Sequence, residues 1–156
     1  MQKWLTKLLN PDISLISFDR GMLAFRVLVS LSMINTHGIK KLLYFEETVA
    51  NIPDPFGLGG ALSTYIALLA NIICPVLIIA GLFTRFAALQ ILSVTIMGFL
   101  VVHFNDPWAV KDVPLMYSLA YLLILYLGPG RLSLDAKFFS SHKLQQKQRT
   151  DSKLLA

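Results

Sequence analysis

Arg26, Ser30, His37 and Lys41 fall within about 60° of one another when the chain around them is wound as a helix. A guanidinium, an imidazole and an ammonium on one face can bind an anion, donate to a carbonyl oxygen or pass a proton. Asn71 stands four residues before Pro75. Proline has no N–H, so the Asn71 carbonyl is expected to lose its helical partner, and the helix is expected to kink there. His103, Asn105, Asp106, Lys111 and Asp112 crowd a short polar stretch, and Tyr117 and Tyr121 follow on one helical face. From these groups the candidate ligand-binding residues are Arg26, His37, Lys41, Asn71, His103, Asn105, Asp112 and Tyr117.

Three kinds of chemistry are open to this set. Two histidines on different helices could hold a haem or a metal ion, but no second ligand pair accompanies them, and no metal site is expected. An amphipathic ring such as a quinone needs a donor or cation beside an aromatic slot, which His37, Lys41, Tyr117 and Tyr121 could supply. Alternatively the polar groups pair with one another inside a bundle whose role is to bind other proteins, with Arg26 on a carboxylate or on helix carbonyls. No P-loop, dinucleotide fingerprint or HExxH motif occurs. Cys74 is the lone cysteine, which excludes a CxxC pair and dithiol exchange; a buried structural thiol is expected.

The elements that must carry these residues are four apolar runs, Gly21–Tyr44, Leu62–Phe83, Phe86–Phe104 and Val113–Leu127. A hydrocarbon core about 30 Å thick takes about 20 helical residues, and these runs occupy most of the 156 residues. Charged residues make up 15% and mean hydropathy is +0.63, where a soluble domain carries about 25% charge. The expected fold is all-α: a four-helix transmembrane bundle running up-down-up-down. Residues 1–18 form an interfacial segment, with Met1–Asn10 a short helix ended by Pro11. Residues 19–136 are the membrane domain, and 137–156 are a basic tail.

The net charge of +5 does not point to nucleic acid, because it is sorted by end. Lys3, Lys7 and Arg20 precede the first run, Arg85 lies between the second and third, and Lys137, Lys143, Lys147, Arg149 and Lys153 follow the last. The other links carry Glu46, Glu47, Asp54, Asp106 and Asp112 beside Lys40, Lys41 and Lys111. Basic surplus marks the cytoplasmic side, so both termini are expected there. The first run is not expected to be cleaved as a signal. His37, Lys41, His103, Asn105 and Asp112 then meet at the outer end, with Arg26 and Asn71 as a floor beneath them. The link Phe45–Ala61 reads as a turn-rich external loop that folds back over the bundle mouth. Asp112 is expected to cap the last helix, with Pro114 in its first turn.

The ordered motifs resemble those of a known family. They are Arg26, His37-Gly38-x-x-Lys41-Leu42, Pro53-Asp54-Pro55-x-Gly57, Cys74-Pro75, Gly81-Leu-x-Thr-Arg85-x-Ala87-Ala88-Leu89 and Asn105-Asp106-Pro107-Trp108. Gly128-Pro129-Gly130-Arg131-x-Ser133-Leu134-Asp135 closes the series. Together, over about residues 18–136, they look like the DoxX family of small four-helix membrane proteins. The resemblance implies a multi-pass protein of a bacterial inner membrane, in a redox neighbourhood. It further implies a quinone-interacting or accessory subunit of a respiratory or oxidative-stress assembly, rather than a stand-alone enzyme. A quinone is the one candidate cofactor; the partners are the bilayer, redox-enzyme subunits and a second copy of the chain. A membrane scaffold that recruits a partner protein is the alternative, and a small-solute carrier is a third. Where this chain has Asn71 and Asp112 the family often carries glutamates, which removes one carboxylate from any proton relay and shortens the other.

Overall fold

The structure, a computed structural model, describes residues 15–138. The interfacial helix expected at Met1–Asn10 and nearly all of the basic tail lie outside the described residues. Among the described residues the chain is helical and contains no strand. Four helices are long and apolar enough to cross a membrane: α1, Ser17–Leu43; α3, Gly60–Ala80; α4, Thr84–Val102; and α5, Trp108–Leu127. A short helix, α2, Phe45–Asn51, lies between the first two.

The four spans follow the apolar runs closely at three of them. The fourth begins earlier than expected. Pro107 stands just before α5, and its carbonyl accepts from Val110 and Lys111. Asp112 is therefore inside the helix and exposed rather than capping it, and Pro114 lies a full turn deeper than its expected place. The reason is that Asp106-Pro107 supplies the break and the preset φ that start a helix. The link Phe45–Ala61 also differs: it opens with α2 before its turn. That helix packs on the start of α3, where Gly60 sits against the Val49 carbonyl and Phe45 meets the Tyr65 ring at 5.5 Å.

Exposed and buried positions are inverted relative to a soluble bundle. Leu28, Ile73, Phe86, Leu89, Leu119 and Leu122 face outward, while the core holds small residues and a few larger ones. Ala70, Ala87 and Ala88 are fully buried, which lets backbones approach closely where lipid gives no hydrophobic drive between helices. The helices pack in sequence order, α1 on α3, α3 on α4 and α4 on α5, and α5 returns to α1 with the sparsest contact of the four.

One end of the bundle is tied by the segment after α5. The Arg26 guanidinium donates to the Pro129 carbonyl at 2.9 Å and also to the Leu132 carbonyl. Asp135 accepts from the Phe83 and Thr84 amides at 2.8 and 2.9 Å, and so caps α4. The Asp135 amide donates to Gly81 O at 2.8 Å, and Asp19 accepts from the Arg131 amide at 2.9 Å. The start of α1, the α3–α4 link and the end of α5 thus share one hydrogen-bonded layer. In the link, Leu82 N–H bonds Leu77 O and Gly81 N–H bonds Ile78 O, a Schellman ending with Gly81 at φ 71°.

Three of the four spans leave α geometry for one turn, and the turns of α1 and α3 pack against each other. Single π turns occupy Ile34–Gly38, Leu69–Ile73 and Gly98–Val102, closed by bonds from Ile39 to Ile34, Cys74 to Leu69 and His103 to Gly98. The turn in α3 immediately precedes Cys74-Pro75, where the missing proline N–H was expected to disturb the ladder. The Asn71 carbonyl faces Gly38, where a Cβ would lie 2.7 Å from that oxygen and 2.8 Å from Ile72 Cγ1. A glycine there allows α1 and α3 to touch backbone to backbone.

Candidate functional site

Between the π turns and the first turns of α5 lies a cleft of about 360 Å³. Each spanning helix contributes to it, with His37, Asn71 and Gly98 coming from the π turns themselves. Met33, His37 and Lys41 come from α1, Asn71 from α3, and Thr95 and Gly98 from α4, which His103 follows; Pro114 and Tyr117 come from α5. A π turn widens the helix and re-aims the side chains beyond it. In α1 the step from buried Met33 to buried Gly38 is one such turn, and it keeps His37 and Lys41 beside the cleft after Arg26 and Ser30 have faced the core.

The Tyr117 ring stands edge-on to His37, with centroids 5.4 Å apart at 81°. Its hydroxyl meets Ser32 Oγ at 2.8 Å and Thr36 Oγ1 at 3.2 Å, so it bridges the sparse α1–α5 seam. Lys41 Nζ donates to the His37 carbonyl at 3.3 Å, leaving further N–H bonds to offer. His103 Nδ1 lies 2.7 Å from Asp106 Oδ2, a pairing that fixes which ring nitrogen is left to face elsewhere. Below, Ser118 donates to the Pro114 carbonyl at 2.7 Å and lies 2.9 Å from Thr95 Oγ1.

Two lining groups stand out for what they lack. The Asn71 side chain is 6% exposed, and neither its carboxamide nor the His37 ring makes a hydrogen bond among the described residues. The Asn71 carboxamide is not sealed in the core: it opens into the cleft, where a bound group can reach its donors and its acceptor.

The structure therefore brings together five of the eight residues singled out in the sequence: His37, Lys41, Asn71, His103 and Tyr117. The other three are elsewhere. Arg26 does not floor the cleft; it belongs to the opposite end, where the carbonyls after α5 accept its protons. Asn105 and Asp112 are exposed and do not line the cleft. Asp106, named in the same polar stretch of the sequence but not among the candidate ligand-binding residues, reaches the cleft through His103. Thr95 and Gly98 carried no signal, because their role follows from packing against Pro114 and Ser118. Among the described residues, no cluster of three metal-ligating side chains forms.

A bundle of four membrane-spanning helices, with a polar cleft sunk between them and a tied opposite end, defines a small multi-pass membrane protein. The chain belongs to the DoxX family, whose model matches residues 21–104. Two similar proteins from Haemophilus influenzae are both described as uncharacterized. One is 33% identical over 128 residues, covering 75% of this chain and 90% of that protein. The other is 32% identical over 97 residues, covering 59% of this chain, and this chain spans 64% of that relative's length. No solved structure matches the chain.

Proposed function

We propose that this protein is a quinone-binding accessory subunit of a redox assembly in a bacterial cytoplasmic membrane, oriented up-down-up-down with both termini cytoplasmic. The observation that carries the reading is that Asn71 and His37 line one cleft with polar side chains that make no hydrogen bond among the described residues. A quinone is an acceptor of hydrogen bonds at both carbonyls and an apolar ring between them. Asn71 and Lys41 would offer donors to a carbonyl oxygen, Tyr117 and Met33 would supply apolar surface to the ring, and His103, paired with Asp106, also lines the cleft. The bound quinone would carry the electron chemistry; this chain's residues would hold and orient it and keep bulk water away. The orientation draws on charge: Arg20, Arg85, Arg131 and Lys137 lie at the tied end, whereas Glu46, Glu47, Asp54, Asp106 and Asp112 lie at the cleft end.

The test is equilibrium binding of a short-chain benzoquinone to the purified full chain in nanodiscs. Asn71→Leu and His37→Leu should each weaken binding about tenfold, the worth of one hydrogen bond. Binding at the same strength in wild type and both variants, or no binding at all, would overturn the assignment.

A further inference from the structure

A second groove, of about 460 Å³, lies at the tied end of the bundle, where α4 starts and α5 has ended. Phe83, Arg85, Phe86, Pro129, Gly130 and Asp135 help to line it, and it shares no residue with the cleft. It is built from the Gly81-Leu-x-Thr-Arg85 and Gly128-Pro129-Gly130 motifs, neither of which reaches the cleft.

Phe83 is the one non-glycine residue with a positive φ among the described residues, at 48°. A bulky side chain seldom takes that conformation. Here Asp135 holds the Phe83 and Thr84 amides, and the Phe83 ring is left 66% exposed at the groove. Phe86, three residues on, is 70% exposed. Between them in sequence stands Arg85, which makes no hydrogen bond or ion pair among the described residues. Its guanidinium lies against Gly128, with Nη2 3.5 Å from where a Cβ would stand, and takes none of the carbonyls at the end of α5. Its five donors are therefore uncommitted.

The surrounding charges favour an anion. Asp135 also lines the groove, but its two oxygens are occupied by the two amides. Asp19 accepts from the Arg131 amide. Arg20, Arg131 and Lys137 are exposed at the same end. Arg85 is the second residue of the span Thr84–Val102, so the groove straddles the boundary between headgroups and acyl chains. A soluble anion would meet the guanidinium but leave both rings uncovered. The choline of a zwitterionic lipid would be repelled by the neighbouring cations. A phospholipid of net negative charge satisfies both requirements, because its phosphate accepts the guanidinium fork while a chain covers the rings.

We infer that this groove binds one anionic phospholipid, with its phosphate on Arg85 and an acyl chain along Phe83 and Phe86. The inference stands independently of any ligand in the cleft.

The experiment is native mass spectrometry of the full chain from micelles doped with phosphatidylglycerol or phosphatidylcholine of matched chains. Wild type should prefer phosphatidylglycerol about five- to tenfold. Arg85→Gln should lose most of that preference, and Arg85→Lys, a point charge without the fork, should keep part of it. Arg131→Gln makes the same charge change at the same end but outside the groove lining, and should keep the preference. Helical content should be unchanged in all three. No preference in wild type, or equal losses in Arg85→Gln and Arg131→Gln, would overturn the proposal. Displacement of phosphatidylglycerol by an equal concentration of glycerol phosphate would also overturn it, since the site would then take a free anion rather than a lipid.

Discussion

Arg26 and Pro129 are 103 residues apart in the chain and joined by a 2.9 Å hydrogen bond from the guanidinium to the carbonyl. Leu132 O is held by the same side chain, and Arg26 is 1% exposed. The polar stripe of α1 is thus divided between two tasks. Its N-terminal part anchors the segment that follows the last helix, and its C-terminal part lines the cleft.

Loss of Arg26 should therefore damage folding before it damages any ligand site. Arg26→Ala removes two charge-assisted bonds and leaves two carbonyls unpaired, a cost of roughly 3 kcal/mol or more. Arg26→Lys retains the charge but lacks the fork that spans both acceptors, so it should recover part of that loss. Thermal unfolding in mild detergent measures both. Equal stability of the three proteins would show that the tie contributes nothing.

Asp135 should act as a cap. It accepts from two amides at the start of α4, and Asp135→Ala should cost about 1–2 kcal/mol. Asp135→Asn, with one acceptor oxygen, should fall between. Amide hydrogen exchange at Phe83 and Thr84 gives the local readout: exchange there should accelerate in Asp135→Ala while the middle of α5 stays protected.

Gly57 and Gly81 separate backbone conformation from crowding. Both have positive φ, 65° and 71°, so alanine at either position meets a conformational cost of about 1–2 kcal/mol. Nothing lies within 4 Å of a Cβ at Gly57, whereas one at Gly81 would strike Arg26 Nη1 and come within 2.6 Å of Ser133 Cβ. Gly81→Ala should be clearly the more destabilising in parallel unfolding measurements, and equal losses would refute the crowding argument.

The loop that closes over the start of α3 should be sensitive to acid. Asp54 is held below the usual carboxylate range, first by the Gly59 amide at 2.6 Å, then by the Leu58 amide and the Ser63 hydroxyl, both at 3.0 Å. A lowered folded value means that the stabilising effect is complete above the unfolded value of about 3.9 and is lost as pH falls through the folded one. Nuclear magnetic resonance titration should find the Asp54 carboxyl titrating below 3.9, with the Leu58 and Gly59 amide signals shifting at the same midpoint. At neutral pH, Asp54→Ala should loosen those amides.

How much of this was written along the chain can be judged residue by residue. The four spans were legible because acyl chains demand long apolar helices, and the inward face of α1 because a charged stripe cannot face lipid. His37, Lys41, Asn71, His103 and Tyr117 were legible as one group because each span carries few polar residues and alternation of the helices brings their ends together. Asp112 misled, since the helix start had a competing signal five residues earlier in Pro107.

The sequence by itself determined what must be buried in the bilayer and which side chains are too polar to face it, because hydropathy and helical phase are local properties. Only the tertiary structure decided what those polar groups meet. Arg26 found carbonyls in a turn more than a hundred residues away, and Asn71 came to line a cleft shared with residues of the other three spans. Such partners depend on distances between separate segments, and helical periodicity along one segment contains no information about them.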